Sequence, residues 1–330
     1  MIEARTIVVP PGVDAGTEIP VTTVRGSRPG PTLALVAGNH GYEYPPILAL
    51  QRLRARISAE QIAGAVIMVH VGNMPSFLGR TVYFSPVDGK NLNRMYPGRP
   101  DGTVSERIAH AITTEVIEPC DYLLDLHCGD GNESLRPYVY QTVTGKAALD
   151  DAIARLVLAF GIDHIVVDRG RPSDPARSVY CSNTAITRGK PAVTIESGYL
   201  GNTDEESVER IVSGVFGVMR ELGVTAAGPP PVERPVYLDP VEVLSSPATG
   251  LLYPHVERDQ QVRQGELVAH ITDFFGAITH EIRAPFDGVV LYVVATPPIV
   301  KGQPVGCIGQ PSGATASLGR GSDRNVHTRV

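Results

Sequence analysis

Three short apolar runs in this chain each end on a residue that can do chemistry. Thr32-Leu33-Ala34-Leu35-Val36-Ala37 runs straight into Gly38-Asn39-His40-Gly41-Tyr42-Glu43. The stretch from Asp121 closes on Leu124-Asp125-Leu126-His127, and Ala192-Val193-Thr194-Ile195 leads into Glu196-Ser197-Gly198. Apolar runs of this length, bounded by turn residues, read as buried strands. A further run, Ala65 to Val71, reads the same way, and Ile165-Val166-Val167 is extended. Helical patterns lie between them: Ile47 to Ile57 behind Pro45-Pro46, Ser105 to Ile117 with Ser105 as cap, Ala147 to Phe160, and Ser207 to Leu222. Proline is tolerated in a first helical turn, and serine is a favoured N-cap. Strands alternating with helices predict an α/β domain with a mostly parallel or mixed sheet flanked by helices. In such sheets ligands sit beyond the carboxyl ends of the strands. His40, Glu43, His127 and Glu196 all fall at such ends.

His40, Glu43 and His127 supply two imidazoles and a carboxylate. That donor set suits a catalytic zinc ion with one position left open. Such an ion lowers the pKa of its water to about 7 and polarises a carbonyl. Taken singly, each histidine reads as a hydrogen-bonded structural residue; taken together, they read as a metal site. Asp125 lies two before His127, so on a strand the two share a face, and it can orient the imidazole. Cys128, by the same alternation, is expected to point away from the metal.

Two more polar stretches carry candidate chemistry. Gly79-Arg80-Thr81 and Asp88-Gly89-Lys90-Asn91-Leu92-Asn93-Arg94 are rich in arginine and asparagine. An arginine near a metal can stabilise an oxyanion, and another can hold a carboxylate in a bidentate fork. Composition alone also fits a polar surface loop. Glu196 at a strand end can act as general base and then acid, or be an ordinary strand-end glutamate.

The composition shifts near residue 225. Ala226-Ala227-Gly228-Pro229-Pro230-Pro231 is a stiff linker. Beyond it come short alternating runs split by Gly and Pro. The expected organisation is a catalytic α/β domain over 1–225, a Pro-rich linker over 226–238, an all-β module over 239–311, and a flexible tail over 312–330.

The formal net charge is −6, and no basic tract tracks phosphates, so nucleic acid is not an expected partner. No apolar run approaches the ~20 residues needed to cross a bilayer, so no membrane association is expected. Cys120, Cys128, Cys181 and Cys307 form no CxxC pair. Together with the lack of a visible secretory signal, they predict reduced thiols in a cytoplasmic protein. The sequence leaves homo-oligomerisation open.

The ordered set formed by the Gly-Asn-His40-Gly-Tyr-Glu43 loop, Arg80, Asn-Leu-Asn93-Arg94, Asp-Leu-His127 and Glu196 resembles the succinylglutamate desuccinylase/aspartoacylase family. These are zinc carboxypeptidase-like deacylases. The likeness covers roughly residues 30 to 200. The run Asp88 to Arg94, with Pro97-Gly98-Arg99-Pro100-Asp101-Gly102, is especially similar to the bacterial branch that includes deacetylases of N-acetylated diaminobutyrate. The resemblance implies one zinc ion per chain held by His40, Glu43 and His127. It also implies Glu196 as general base and acid, Arg80 as oxyanion stabiliser, and Asn93 and Arg94 on the substrate carboxylate. Arg136, Arg171 and Tyr180 are further candidates for selecting the side chain. Tyr42 departs from the family, which often has an acidic residue there.

The expected activity is removal of an acyl group from a small N-acyl amino acid or related amine. A carboxypeptidase acting on peptides and a non-catalytic binding protein on the same scaffold are the alternatives. The β module is similar to the biotinyl/lipoyl barrel-sandwich fold. Its stretch Phe275-Gly276-Ala277-Ile278-Thr279 has no carrier lysine, so a structural or site-covering role is expected.

Overall fold

The computed structural model describes residues 1–312. The tail expected over 312–330 lies outside the described residues except for Ser312, whose N–H donates to the Tyr237 carbonyl at 2.8 Å.

The chain opens with an antiparallel pair that the apolar pattern did not flag, β1 (Ile2–Val9) and β2 (Thr17–Arg25). β3 (Arg28–Ala37) follows, and the ligand loop leaves its carboxyl end. α1 (Tyr44–Arg56) then begins with Glu43 at its N-cap and Pro45 and Pro46 in its first turn. Glu43 makes no capping hydrogen bond. The prolines remove two of the donors a cap would serve, which leaves that carboxylate available elsewhere.

β4 (Ala63–Val69) and α2 (Met74–Gly79) come next. α3 (Val104–Ile112) is preceded by Thr103, whose N–H donates to Glu106 Oε2 at 2.9 Å. Ser105, expected as the cap, lies inside the first turn, and its hydroxyl donates to Asp88 Oδ1 at 2.9 Å. The helical pattern expected to run through Ile117 continues past α3 as a π-helical turn, Thr113–Ile117.

β5 (Tyr122–His127), β6 (Glu133–Leu135), β7 (Tyr138–Thr142), α4 (Ala147–Phe160), β8 (His164–Asp168), α5 (Cys181–Thr187), β9 (Ala192–Glu196) and α6 (Glu205–Glu221) complete the α/β part. The last strands are β10 (Val236–Ser245), β11 (Gly250–Pro254), β12 (Gln261–Val262), β13 (Leu267–Thr272), β14 (Ile278–Arg283), β15 (Gly288–Val294), β16 (Pro298–Ile299) and β17 (Pro304–Pro311).

The fold is mixed α/β. One 13-stranded sheet runs β1-β2-β4-β3-β5-β9-β7-β8-β10-β17-β15-β12, with β6 added to β15; a 4-stranded sheet runs β14-β13-β11-β16. β4, β3, β5 and β9 are parallel, as the apolar runs predicted, whereas β7 pairs antiparallel with β9. The large sheet does not stop at the expected linker. β10 begins inside that stretch at Val236, and pairs parallel with β8 before turning antiparallel beside β17.

The central strands are buried on both sides. Leu123, Leu124 and Leu126 are fully enclosed, as are Val193 and Ile195 within a per cent. Each fully buried Leu or Ile contributes roughly 1.5–3 kcal/mol. The core around the 4-stranded sheet is separate and includes Leu252, Val268, Ile271, Ile282 and Ile308. A third cluster joins the parts, bringing Leu135, Tyr138 and Val166 against Leu238, Val289, Leu291 and Tyr292.

A candidate metal centre at the strand ends

β5 and β9 run parallel with His127 opposite Glu196, and β7 places Tyr138 opposite the same Glu196. Laterally paired residues leave the same face of a sheet. His127, Glu196 and Tyr138 therefore form a row. Asp125 leaves that face two residues earlier.

The loop after β3 supplies the rest. Gly38 adopts a left-handed conformation, φ 72°, which turns the chain sharply off the strand. Gly41 lies so close to α2 that a Cβ there would meet the Phe77 nitrogen at 2.0 Å. This packing fixes the path of the loop between His40 and Glu43.

Both imidazoles present Nδ1 to one carboxylate. His40 Nδ1 is 2.7 Å from Glu43 Oε1, and His127 Nδ1 is 2.9 Å from Glu43 Oε2. The Nε2 atoms are held from behind. His40 Nε2 lies 3.0 Å from Asn91 Oδ1, and His127 Nε2 lies 3.0 Å from Asp125 Oδ1. An acceptor at Nε2 keeps the proton there and leaves the Nδ1 lone pair facing inward. The three donor groups are buried and their ligand atoms lie within 4.8 Å of one another. This set fits a tetrahedral divalent ion such as zinc.

The electrostatics agree. Burial disfavours charge at His127, yet Asp125 and Glu43 outweigh it and hold its pKa well above the ordinary value. Burial likewise opposes ionisation of Glu43, but His127 and His40 draw its pKa down to about 2. The cluster thus calls for positive charge at its centre, which a divalent ion supplies while displacing protons.

Asp125, with no exposed surface, is itself braced. It accepts from Asn39 Nδ2 at 2.8 Å and from the Ser182 N–H of α5 at 3.2 Å. Tyr96 donates to Asn39 Oδ1 at 2.8 Å. Asn93 is buried below the cluster. Its Oδ1 accepts from the Cys181 N–H at 2.9 Å, and its Nδ2 lies 3.3 Å from His127 Nε2. Cys128 is outside the donor set; its thiol donates to the Gly129 carbonyl.

Glu196 is half-buried, and its pKa lies well above the ordinary value. Burial is the main cause, with the carboxylates of Glu43 and Glu133 adding to it and His127 opposing.

Arg80 stands apart from this group. It caps α2 in a left-handed conformation, φ 51°, is exposed, and lies against the Tyr44 hydroxyl. Arg94 and Arg171 stack on the Tyr180 ring, at 4.7 and 4.1 Å from its centroid. Arg171 is ion-paired with Asp168, and Arg94 donates to the Asn93 carbonyl at 2.9 Å. Arg136 turns toward the β module and pairs with Asp259 at 2.8 Å.

Several residues escaped the sequence reading. Tyr83, in a left-handed conformation at φ 57°, sets its ring edge-on to His40 at 6.0 Å and donates to Glu133 Oε1 at 2.5 Å. The Tyr83 N–H donates to Asp130 Oδ2 at 2.9 Å. Burial raises Glu133 to about 7 despite the Tyr83 hydrogen bond, with Asp130 and Glu43 contributing. Asp130 is raised to about 6, by burial first and then by Glu43.

Tyr292 arrives from β15, 8% exposed, where it faces the electrostatic influence of Glu133, Tyr83 and Tyr140. β6 carries this wall into the module: Leu135 pairs with Tyr292, Ser134 with Val293 and Glu133 with Val294. A loop of tyrosine and acidic residues gives no local sequence signal. A lone tyrosine in a β run, distant in the chain, gives none either.

Residues 29–222 match the family described as the succinylglutamate desuccinylase/aspartoacylase catalytic domain. The chain is 35% identical over 280 residues to the N-alpha-acetyl-L-2,4-diaminobutyric acid deacetylase of Halomonas elongata, covering 82% of this chain and 80% of that protein. The structure of a succinylglutamate desuccinylase/aspartoacylase from Rhodobacter sphaeroides superposes with a TM-score of 0.83 at 26% identity, over 95% of this chain and 96% of that one. A product-bound ectoine utilization protein from Ruegeria pomeroyi gives a TM-score of 0.82 at 28% identity, over 94% of this chain and 95% of that one.

Proposed function

The chain belongs to the succinylglutamate desuccinylase/aspartoacylase family, and from that premise we propose that it is a zinc-dependent amidohydrolase that deacetylates a small N-acetyl diamino acid of the N-acetyl-diaminobutyrate type. Removal of an acyl group by amide hydrolysis is what the family and its deacetylase relative support directly. The observation that carries the metal reading is the convergence of His40 Nδ1 and His127 Nδ1 on the Glu43 carboxylate, with each Nε2 backed by an oxygen.

His40, Glu43 and His127 would hold one zinc ion, which when bound supplies Lewis-acid polarisation of the amide carbonyl and a more acidic water. Glu196 takes a proton from the attacking water. The carbonyl carbon becomes tetrahedral, the C–N bond breaks, and Glu196 delivers that proton to the departing nitrogen. Glu196 stands opposite His127 in the strand register, which positions one carboxyl group for both transfers. Arg80, exposed and against the Tyr44 hydroxyl, would swing toward the cluster to offer guanidinium donors to the developing oxyanion. Arg94, supported by Asn93 and joined by Arg171 over Tyr180, holds the substrate carboxylate.

Two observations favour a diamino acid over a diacid. Asp130 and Glu133 form an acidic wall beside His40; burial first, and neighbouring carboxylates after it, raise their pKa values, so the wall in its ionised form calls for positive charge. A substrate ammonium group would provide that charge. The relative from Halomonas elongata is named for a substrate of this kind.

In this reading the expected division stands as part of the proposal. The α/β part over 1–225 carries the reaction, the stretch 226–238 links it, and the module over 239–311 closes one side of the site through β6, β15 and Tyr292. A wall there favours small substrates over peptides.

The test is acetate release from Nα-acetyl-diaminobutyrate by zinc-loaded and chelated protein. Release that depends on zinc, with short peptides untouched, is expected. No release from any N-acyl amino acid, with zinc verified in place, would overturn the proposal.

A further inference from the structure

Tyr42 stands between two of the proposed ligands, His40 and Glu43, and the chemistry above gives it no part. Its half-buried ring is nevertheless held on both edges. A Cβ on Gly131 would fall 2.1 Å from the ring atoms Cδ1 and Cε1, and one on Gly201 would fall 3.1 Å from Cδ2 and Cε2. The ring therefore fills the side-chain space of two glycines at once. Those glycines belong to different loops. Gly131 follows Asp130 in the loop after β5, and Gly201 lies in the loop that follows Glu196 at the end of β9.

The two loops are also stitched together. The Gly129 N–H donates to the Gly198 carbonyl at 3.0 Å, and the Leu200 N–H donates to the Glu133 carbonyl at 2.8 Å. The loop after β9 is strained: Gly198, Leu200 and Gly201 take positive φ angles of 113°, 51° and 53°. A residue with a branched side chain, such as Leu200, keeps this backbone only where its surroundings over-determine it. Tyr42 belongs to those surroundings, since its carbonyl oxygen and its ring both lie against Gly201.

An aromatic row leads from Tyr42 to the remaining polar group of the site. Tyr42 meets Tyr44 edge-on at 5.1 Å, and Tyr44 meets Phe77 of α2 at 5.9 Å. Edge-to-face pairs at such distances attract. The Arg80 N–H donates to the Phe77 carbonyl at 3.3 Å, and Arg80 lies against the Tyr44 hydroxyl. One ring thus touches the ligand loop, the acidic loop and the loop behind the proton carrier.

Gly131 is explained by the same contact. Its φ is not left-handed, so its backbone conformation does not demand glycine. The three atoms nearest to a Cβ there all belong to the Tyr42 ring. That ring has no room to yield, because Gly201 stands at its other edge.

We propose that Tyr42 is a positioning residue: its ring is the wedge that fixes the Glu196 loop and the Asp130–Glu133 wall against the ligand loop, and position 131 is glycine to admit it. The role rests on the deacetylase reading above, because the groups it positions are those which that reading employs. The ring carries the effect, and the hydroxyl does not.

The experiment is a double-mutant cycle on the full chain, with wild type, G131A, Y42A, Y42A/G131A and, beside them, Y42F. Two quantities are read: Tm of the chelated protein, and kcat for acetate release per zinc-loaded chain, with zinc counted by metal analysis. G131A should lower Tm by about 2 °C or more, the cost of overpacking. In the Y42A background the same substitution should cost less than half as much, because the obstructing ring is gone. Y42A should lower kcat per zinc-loaded chain by about tenfold or more, since small misplacements of reacting groups are costly. A purely structural residue would change only the fraction of chain that is folded and loaded. Y42F keeps the ring and should hold kcat within about twofold of the wild type. Additive effects of G131A and Y42A on Tm overturn the proposal. So does Y42A with the wild-type kcat, or Y42F as impaired as Y42A. Should Y42A fail to fold, Y42V, whose side chain stops short of the Cδ positions, replaces it in the cycle under the same criteria. A wild type that releases no acetate overturns the deacetylase reading instead, and the Tm cycle, which needs no activity, still decides whether the wedge exists.

Discussion

His127 and Glu196 are direct register partners on two parallel strands, so the last residue of each projects over the same end of the sheet. One is a proposed ligand and the other the proposed proton carrier. Their separation is set by backbone hydrogen bonding between β5 and β9 and does not depend on loop conformation. Pre-organisation of this kind is what a reaction with a short proton path needs.

Replacing Glu196 with Gln keeps shape and removes the proton carrier. We expect kcat to fall by about 10²–10⁴-fold, the range for losing a general acid–base group. Zinc content should be unchanged. Steady-state acetate release together with metal analysis checks this; a variant that retains full kcat refutes the role.

Asp125 touches no substrate in the proposed chemistry, but it holds the Nε2 proton of His127. Asp125→Asn should weaken zinc binding by about 10–100-fold, the usual loss when an outer hydrogen-bond partner of a ligand is changed. Competition with a chromophoric chelator measures it. An affinity equal to that of the wild type would show that the His127 tautomer is fixed by other groups.

The acidic wall predicts a selective effect. Glu133→Gln should raise KM for Nα-acetyl-diaminobutyrate while leaving KM for Nα-acetyl-2-aminobutyrate, which has no ammonium group, nearly unchanged. Equal effects on both substrates would mean that Glu133 shapes the site through Tyr83 alone.

Glu106 offers a pH test far from the metal. Hydrogen bonds from the Thr103 N–H and from Lys90 lower its pKa to about 2. A group depressed on folding stabilises above its unfolded pKa and loses that contribution as pH falls through the folded one. Glu106→Gln should therefore cost about 1–2 kcal/mol near neutral pH, a typical cost of losing a helix-start interaction. The gap from the wild type should shrink as pH drops from about 4.5 toward about 2. Urea unfolding at several pH values reads it. A gap constant down to pH about 3 contradicts the linkage.

Removing the metal should destabilise the chain. A ligand that binds only the folded state adds about 2.7 kcal/mol at a concentration 100 times its Kd. Thermal melting with and without a chelator should show a lower Tm for the chelated protein. Gly41→Ala should erase most of that difference, because a Cβ there collides with the α2 backbone and displaces the ligand loop.

The central strands and their terminal residues were legible because parallel strands buried on both faces read as continuous apolar runs. Leu33 to Ala37 is such a run, and Leu123 to Leu126 is one broken only by Asp125; the polar residues after them stood out. β1 and β2 did not read so clearly, since β1 is a mostly exposed edge strand and the buried stretch of β2, Val21-Thr22-Thr23-Val24, is half threonine. Thr103 was passed over for Ser105 because both are good caps, and the choice rests on the reach of Glu106. Asn91 lay in plain sight within the polar run, yet its contact with His40 depends on a 51-residue separation closing in space. Tyr83, Glu133 and Tyr292 meet only because β6 crosses to β15, a pairing that no local pattern encodes.

That crossing limits how this protein can be taken apart. Three backbone rungs bind the stretch after His127 to β15. A fragment ending at the prolines around 230 would leave Glu133 to Leu135 with nothing to lie against, and Tyr83 would lose the footing of its acid partner. The two halves are therefore not interchangeable cassettes: grafting the module of one relative onto the catalytic part of another replaces one side of the pocket, and such chimeras should inherit substrate preference from both parents.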